Sequence, residues 1–277
     1  MELQNKIVDS VYQINEWFLV NGLTLNLDKT HLLKFSSIKC KAEHINFRYL
    51  NIIKETDSLK FLGLGLDKFL NWKNHIDKFL PWLSSACFAI RSVSSHCNIT
   101  TIEMLYFAYF HYLLQYDIAF WGNSTESVKV LKLQEKGIRL MTGSNVRSSC
   151  RPFFPMLGIM TLPSHYIFFL MKFLSRNLEF YTFNSTVHNY NTRNRIPLHK
   201  PSFLLNIYQK VIYYESVAVF NKLPHNIAEL ILNNKSFLTK LKKYLLGKAF
   251  YSIDEYMNDH SDGWVWFIFN FVEFLNC

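Results

Sequence analysis

The chain has 277 residues, a formal net charge of +9 and a pI near 9.2, and 49% of its residues are hydrophobic. With only 9 Gly and 7 Pro and with 17% aromatic residues, it is predicted to be a mostly helical protein with a substantial buried core. The composition excludes a low-complexity chain, and the basic balance favours a nucleic acid or another acidic surface as partner.

The first 67 residues predict one helix followed by short strands. Ile7, Val11, Ile14 and Phe18 share one face of a helix over residues 2–20, and Gly22 is a suitable C-terminal stop. The stretch LTLNLDKTHLLKF (23–35) alternates apolar and polar residues around Asp-Lys-Thr, so it predicts a small hairpin with Lys29 at its tip. Further alternation over 45–49 and a run over 59–67 predict three or four strands in all.

The remainder of the chain has helical periodicity. Residues 73–95 place five apolar side chains on one face and contain Pro81, where we expect a kink: Ile76, Phe79, Leu83, Cys87 and Ile90. Thr100 to Glu103 form a capping-box pattern that opens an aromatic helix over 104–121. Further helices are predicted over 126–142, ending at Gly143, and near 162–178, 203–222 and 236–246, with a polar irregular stretch over 183–201.

Two apolar segments raise the alternative of a membrane protein. Residues 104–121 are apolar on nearly all sides but contain His111, Gln115 and Asp117, whereas residues 264–277 are shorter than the roughly 20 residues that a span needs. A buried core helix therefore explains residues 104–121 better than a membrane span does.

The five cysteines show no C-x-x-C spacing, and no secretory signal precedes them. Free thiols in a reducing, intracellular compartment follow from this pattern. The neighbouring Cys/His pairs do not supply four zinc ligands, so no metal site is predicted.

The helix over 126–142 is the strongest candidate for binding. At about 100° per residue, its four cations fall within an arc of about 80°, opposite the apolar side: Lys129, Lys132, Lys136 and Arg139. Residues 127–151 hold six cations and one carboxylate, so more than half of the net charge lies there. Such a row can bind a phosphate backbone without reading sequence, although an ordinary solvated helix face would look the same.

Other candidate residues give weaker indications of a binding site. Arg193 and Arg195 lie in the polar stretch, where arginine forks suit phosphate oxygens. The lysines at 240, 242 and 243 are expected to be ordinary solvated charges, and His111 and His165 to be hydrogen-bonded core residues. No hydrolase motif, glycine-rich phosphate loop or pair of carboxylates that could hold two magnesium ions is present, so no catalytic residue is predicted.

Seven blocks cover nearly the whole chain: INEWFLVNGLTLNLDKTHLLKF (14–35), SLKFLGLGLDKFLNWKNHI (58–76), LLQYDIAFWGNS (113–124), LQEKGIRLMTG (133–143), NTRNR (191–195), VFNKLPHNI (219–227) and the run over 237–256. Taken together and in this order, they resemble the downstream part of a reverse transcriptase from a non-LTR (LINE-type, jockey-like) retrotransposon. The resemblance implies the end of a palm over 1–70, a helical thumb-like region over 71–182 and a helical C-terminal extension over 183–277.

The resemblance also implies site roles. Phe61, Leu62 and Gly63 match the primer-grip turn, and Lys29 matches a lysine suspected of approaching the incoming nucleotide. The cations of the basic helix, with Arg193 and Arg195, would meet the phosphates of an RNA and DNA template–primer duplex. The family's metal-binding aspartates stand upstream of the residue that matches Met1, so Mg²⁺ is expected only for an intact polymerase, and this chain is expected to be inactive alone.

Two further alternatives stay open beside the membrane protein. The chain is a relic of decayed transposon sequence without selected activity, or a helical interaction protein that binds a partner through an aromatic surface. As a retrotransposon protein it is expected in the nucleus or the cytoplasm.

Overall fold

The computed structural model describes residues 2–35, 54–187, 197–202 and 211–259. The described chain is mostly helical with a small β component, which confirms the expected α+β class. It divides into two compact units, Met1–Lys78 and Phe79–Cys277. The division into palm, thumb and C-terminal extension stays a prediction.

The described part of the first unit contains one long helix and four short strands. Helix α1 (Glu2–Val20) confirms the first predicted helix and is followed by Gly22 at a φ of +67°. Strand β1 (His31–Leu32) pairs in parallel with β2 (Lys54–Glu55). Strands β3 (Ser58–Phe61) and β4 (Leu64–Asp67) form an antiparallel hairpin, in the run over 59–67 for which the sequence predicted strand structure.

The hairpin predicted over 23–35 is wrong. Residues Leu27–Lys29 form a single 3₁₀ turn, and β1 finds its partner in β2 rather than in the preceding residues. Asn26 explains the difference, because its side-chain oxygen accepts a hydrogen bond from the Lys29 N–H at 3.1 Å, and its carbonyl accepts one from the Thr30 hydroxyl at 2.8 Å. These local bonds compete with strand pairing and close a turn instead.

Helix α2 (Lys73–Ser94) contains Pro81 and buries all five apolar residues predicted for its inner face. The next helix, α3 (Ile99–Leu105), begins at Asn98, whose side chain accepts a hydrogen bond from the Thr101 N–H, and not at the predicted capping box. The aromatic segment is interrupted: a π-helical turn (Tyr106–His111) leads into α4 (Tyr112–Gln115), and Asp117 at a φ of 51° separates it from α5 (Ile118–Trp121).

Helix α6 (Ser127–Thr142) ends at Gly143 in the left-handed conformation, as predicted. The described helices that follow are α7 (Phe153–Met156), α8 (Leu162–Arg176), α9 (Asn184–Val187), α10 (Ile212–Asn221), α11 (His225–Ala228), α12 (Asn234–Lys248) and α13 (Ile253–Met257). The central one is α8, which begins at the Thr161 cap and packs against both α10 and α12.

A buried polar network joins three elements of the second unit. Gln134 of α6 is fully buried, and its amide nitrogen donates to the Tyr106 hydroxyl at 3.0 Å and to the Met160 carbonyl at 2.9 Å. Its amide oxygen accepts from the Leu162 N–H at 2.8 Å. Since buried polar groups are costly without partners, this side chain fixes α6 against the π-helical turn and the start of α8.

In the described part of the chain, no helix has both the length and the apolar character that a membrane span requires. Residues 104–121, which suggested a span, are divided by the π-helical turn and by Asp117. Residues 264–277 lie outside the described ranges.

Candidate nucleic-acid interface

Helix α6 presents the basic face that the sequence predicted. Its inner side is formed by Val130, Ile138 and Met141, which are buried, together with Gln134 and Gly137. Because these residues attach the helix to the core of the second unit, the outward side is held on a rigid element. A rigid helix face can present cations at a fixed spacing.

The four cations of this face have different environments. Lys129 Nζ lies 2.6 Å from the Glu126 carboxylate, and Arg139 lies 3.8 Å from Glu135. Arg139 also donates to the Ser148 carbonyl at 3.4 Å. Their charges are therefore partly neutralised by local carboxylates, which weakens the predicted row of four.

Lys132 and Lys136 are exposed and form no ion pair within the described ranges of the chain. They are four residues apart, so they stand on the same helix face about 6 Å apart along the axis. Like charges at this spacing destabilise a helix by roughly 0.2–0.5 kcal/mol, and a bound anion would remove that cost. Lys136 also lies near Cys87 of α2: burial raises the pKa of that thiol, and the ammonium partly offsets the rise.

The segment after α6 adds one exposed cation, Arg147. Arg151 has a structural role instead, because its guanidinium makes a two-pronged ion pair with Glu255, at 2.7 and 3.1 Å, and stacks 4.5 Å from the centre of the Tyr251 ring. Of the six cations over 127–151, Lys132, Lys136 and Arg147 are thus the ones that reach solvent without a carboxylate among the described residues.

The predicted primer-grip residues lie in the first unit, at the tip of the β3–β4 hairpin. Leu62 and Gly63 form its two-residue turn with φ values of 46° and 90°. Positive φ at both positions is the geometry that gives a tight hairpin, and Gly63 supplies it without strain. Phe61 and Leu62 are 56% and 76% exposed, so the hairpin presents an apolar tip to solvent.

Buried polar groups beneath the tip hold the hairpin in place. Asp67 accepts hydrogen bonds from the backbone N–H groups of Phe69 at 2.9 Å and Trp72 at 3.3 Å. The Gly65 N–H donates to His75 Nδ1 at 3.3 Å. The hairpin is therefore anchored to the start of α2, an anchor that the sequence analysis did not identify.

Lys29 ends the 3₁₀ turn Leu27–Lys29 and is exposed. Thr30 separates it from strand β1, which pairs with β2, and β2 precedes the β3–β4 hairpin by two residues. The pairing of β1 with β2 thus joins the segment that contains Lys29 to the segment that leads into the hairpin.

Two further residues predicted to contact phosphate, Arg193 and Arg195, lie outside the described residues. The described parts of the chain contain no group of three or more His, Cys, Asp or Glu side chains that could hold a metal ion.

Comparisons with protein-family models, with curated proteins and with solved structures found no match to this chain.

Proposed function

We propose that the chain is the template–primer-binding part of a non-LTR retrotransposon reverse transcriptase, comprising the end of the palm, the thumb and the C-terminal extension. The observation that carries the proposal is the pair Lys132 and Lys136, two exposed cations without carboxylate partners in the described chain, on a rigid helix. Cations in this arrangement bind phosphates of a duplex without reading its sequence.

The first unit supports the same proposal. The apolar hairpin tip at Phe61 and Leu62 has the exposure that a contact with a primer end requires, and Gly63 lets the backbone approach closely. Helix α1 also exposes large apolar side chains, among them Trp17 at 60% and Leu19 at 61%. Such a surface is suited to the rest of a polymerase palm.

By the resemblance, the carboxylates that bind Mg²⁺ belong to a motif that is not found in this sequence. In an intact polymerase the metal would neutralise charge on the reacting phosphates. For the isolated chain we propose binding without primer extension, in the nucleus or the cytoplasm.

Titration of the purified chain with a labelled RNA–DNA hybrid tests this proposal. We expect sequence-independent binding at about 50 mM salt that weakens steeply as salt is raised, because counterions are released from each neutralised phosphate. Lack of binding at about 50 mM salt would retire the proposal, as would primer extension by the chain alone.

A second candidate function is protein binding through the aromatic segment. Tyr109, Tyr112 and Phe120 are 58%, 67% and 49% exposed, with Met104 at 60% and Tyr116 at 46% beside them in the sequence. Exposed apolar groups of this size are typical of interaction surfaces. A stable complex with a protein that resists salt, together with no binding of the hybrid, would favour this alternative.

A further inference from the structure

His111 and His165 form a close pair in the second unit that the sequence analysis treated as ordinary core residues. His111 ends the π-helical turn, and His165 stands in the first half of α8. Their ring centres are 4.9 Å apart with an edge-to-face orientation. Single π-helical turns within α-helices occur frequently at functional sites.

The hydrogen bonding of the pair is incomplete. The Gln115 side-chain amide lies 2.8 Å from His111 Nε2, so that ring nitrogen is hydrogen-bonded. The Nδ1 atoms of both rings are buried and have no hydrogen-bond partner among the described residues. Each ring therefore keeps one buried nitrogen without a hydrogen-bond partner in the described chain, a condition that native structures rarely leave uncompensated.

The charges around the pair have one sign. Lys172 lies two helical turns after His165 on the same face of α8, and Lys242 comes from α12, which packs against α8. Burial, followed by Lys242, lowers the pKa of His111. Burial lowers the pKa of His165 to about 3, and His111, Lys172 and Lys242 contribute in the same direction. No carboxylate of the described residues contributes to either shift.

This chemistry suits an anion and opposes a cation. Two ammonium groups would repel a divalent metal, and within the described residues no third ligand joins the two imidazoles. A phosphate oxygen, in contrast, accepts hydrogen bonds from ammonium and imidazole N–H groups. Lys242 is exposed and His111 is partly buried, so the cluster meets solvent at Lys242, whereas the Nδ1 atoms of both rings lie below the surface.

We propose that His111, His165, Lys172 and Lys242 form a phosphate-binding site. Its ligand is either a phosphodiester of a bound nucleic acid or a free phosphate group. The site adds a second phosphate contact to the proposed function but does not depend on it.

Titration of the full-length chain with sodium phosphate, at ionic strength held constant with chloride, tests the site. The histidine-ring signals are followed by NMR. We expect the His111 and His165 rings to shift saturably, and Lys242→Gln to weaken phosphate binding about tenfold, the effect of losing one charge-assisted hydrogen bond. Lys172→Gln, which removes the second ammonium, should act in the same direction.

Lys243→Gln is the matched control, because it removes the same charge from the next position of α12 and faces about 100° away. We expect it to change phosphate affinity less than twofold. Equal effects of Lys242→Gln and Lys243→Gln would overturn the proposal, and so would the absence of any ring shift at about 20 mM phosphate, where a site with a millimolar Kd is nearly saturated.

The RNA–DNA hybrid distinguishes the two sources of phosphate. If Lys242→Gln weakens hybrid binding as well, the ligand is a backbone phosphodiester; if only the phosphate titration changes, it is a free phosphate group. Should the chain bind no hybrid while the ring shifts remain, the proposed function fails and this site stands.

Discussion

Removal of Lys132 and Lys136 together is the sharpest test of the basic face. Each lysine that neutralises one phosphate contributes about 0.9 to the slope of log Kobs against log salt, so Lys132→Gln/Lys136→Gln should lower that slope by about 1.8. If binding near 1 M salt is unchanged, hybrid binding weakens by roughly two hundredfold at about 50 mM salt and by roughly twentyfold at about 200 mM. Fluorescence anisotropy at four or five salt concentrations measures both quantities.

Two control variants separate position from charge. Lys78→Gln/Lys235→Gln removes two exposed lysines from other helices and gives the same net charge, so we expect a change in slope below about 0.5. Glu126→Gln/Lys129→Gln removes the ion pair at the start of α6 without changing net charge, and it should bind nearly as the wild type does.

Equal slopes for the α6 variant and the Lys78/Lys235 variant would refute the reasoning, because binding would then report only total charge. A large loss in the Glu126/Lys129 variant would show that the sequence-based row of four cations describes the interface better than the two unpaired lysines do.

Three predictions concern stability and are measured by urea unfolding. Gln134→Leu should lower the free energy of unfolding by about 2–4 kcal/mol, because it leaves buried partners of three hydrogen bonds unsatisfied. Asp67→Ala should cost about 1–3 kcal/mol, whereas Asp57→Ala, which removes an 83% exposed carboxylate from a surface ion pair, should cost less than about 1 kcal/mol. The folded pKa of His165, about 3, is below its unfolded value, so its contribution is complete above about pH 6.5 and is lost as pH falls towards 3. Between pH 7 and 5, wild type should therefore lose more stability than His165→Gln; equal losses would contradict the assignment.

The sequence correctly predicts burial where a single helical periodicity determines which face of the helix is apolar. All five residues predicted for the inner side of α2 are buried, because a long helix with a continuous apolar stripe has one favourable way to pack. For α1 the helix is confirmed, but Ile14 is 49% exposed, so the stripe predicted the helix without predicting burial in the described structure.

Local hydrogen bonds explain where the interpretation differs from the structure. Alternation over 23–35 is compatible with a strand, yet Asn26 closes a 3₁₀ turn in place of strand pairing. For the basic face, the sequence does contain the pattern that predicts local ion pairs. Glu126 and Glu135 stand three and four residues before Lys129 and Arg139, the spacings at which opposite charges pair on a helix.

The pairing of His111 with His165 depends on contacts that no sequence pattern shows. His111 and His165 are 54 residues apart, and their approach requires the packing of the π-helical turn against α8. The interpretation of both as hydrogen-bonded core residues was right about burial for His165, but both rings keep an Nδ1 atom without a partner in the described chain.

Gln134 links, through hydrogen bonds, the helices that contain the two proposed phosphate contacts, the basic face of α6 and the cluster around His111 and His165. Its amide holds α6, which presents Lys132 and Lys136, against Tyr106 of the π-helical turn that ends in His111. It also binds the first residue of α8, the helix that contains His165 and Lys172. Because the spacing of phosphates along a duplex is fixed, two contact points on one duplex act together only if the protein holds their separation. A nucleic acid that spans both surfaces would therefore lose affinity when this single buried amide is replaced, even though Gln134 itself is fully buried and touches no phosphate.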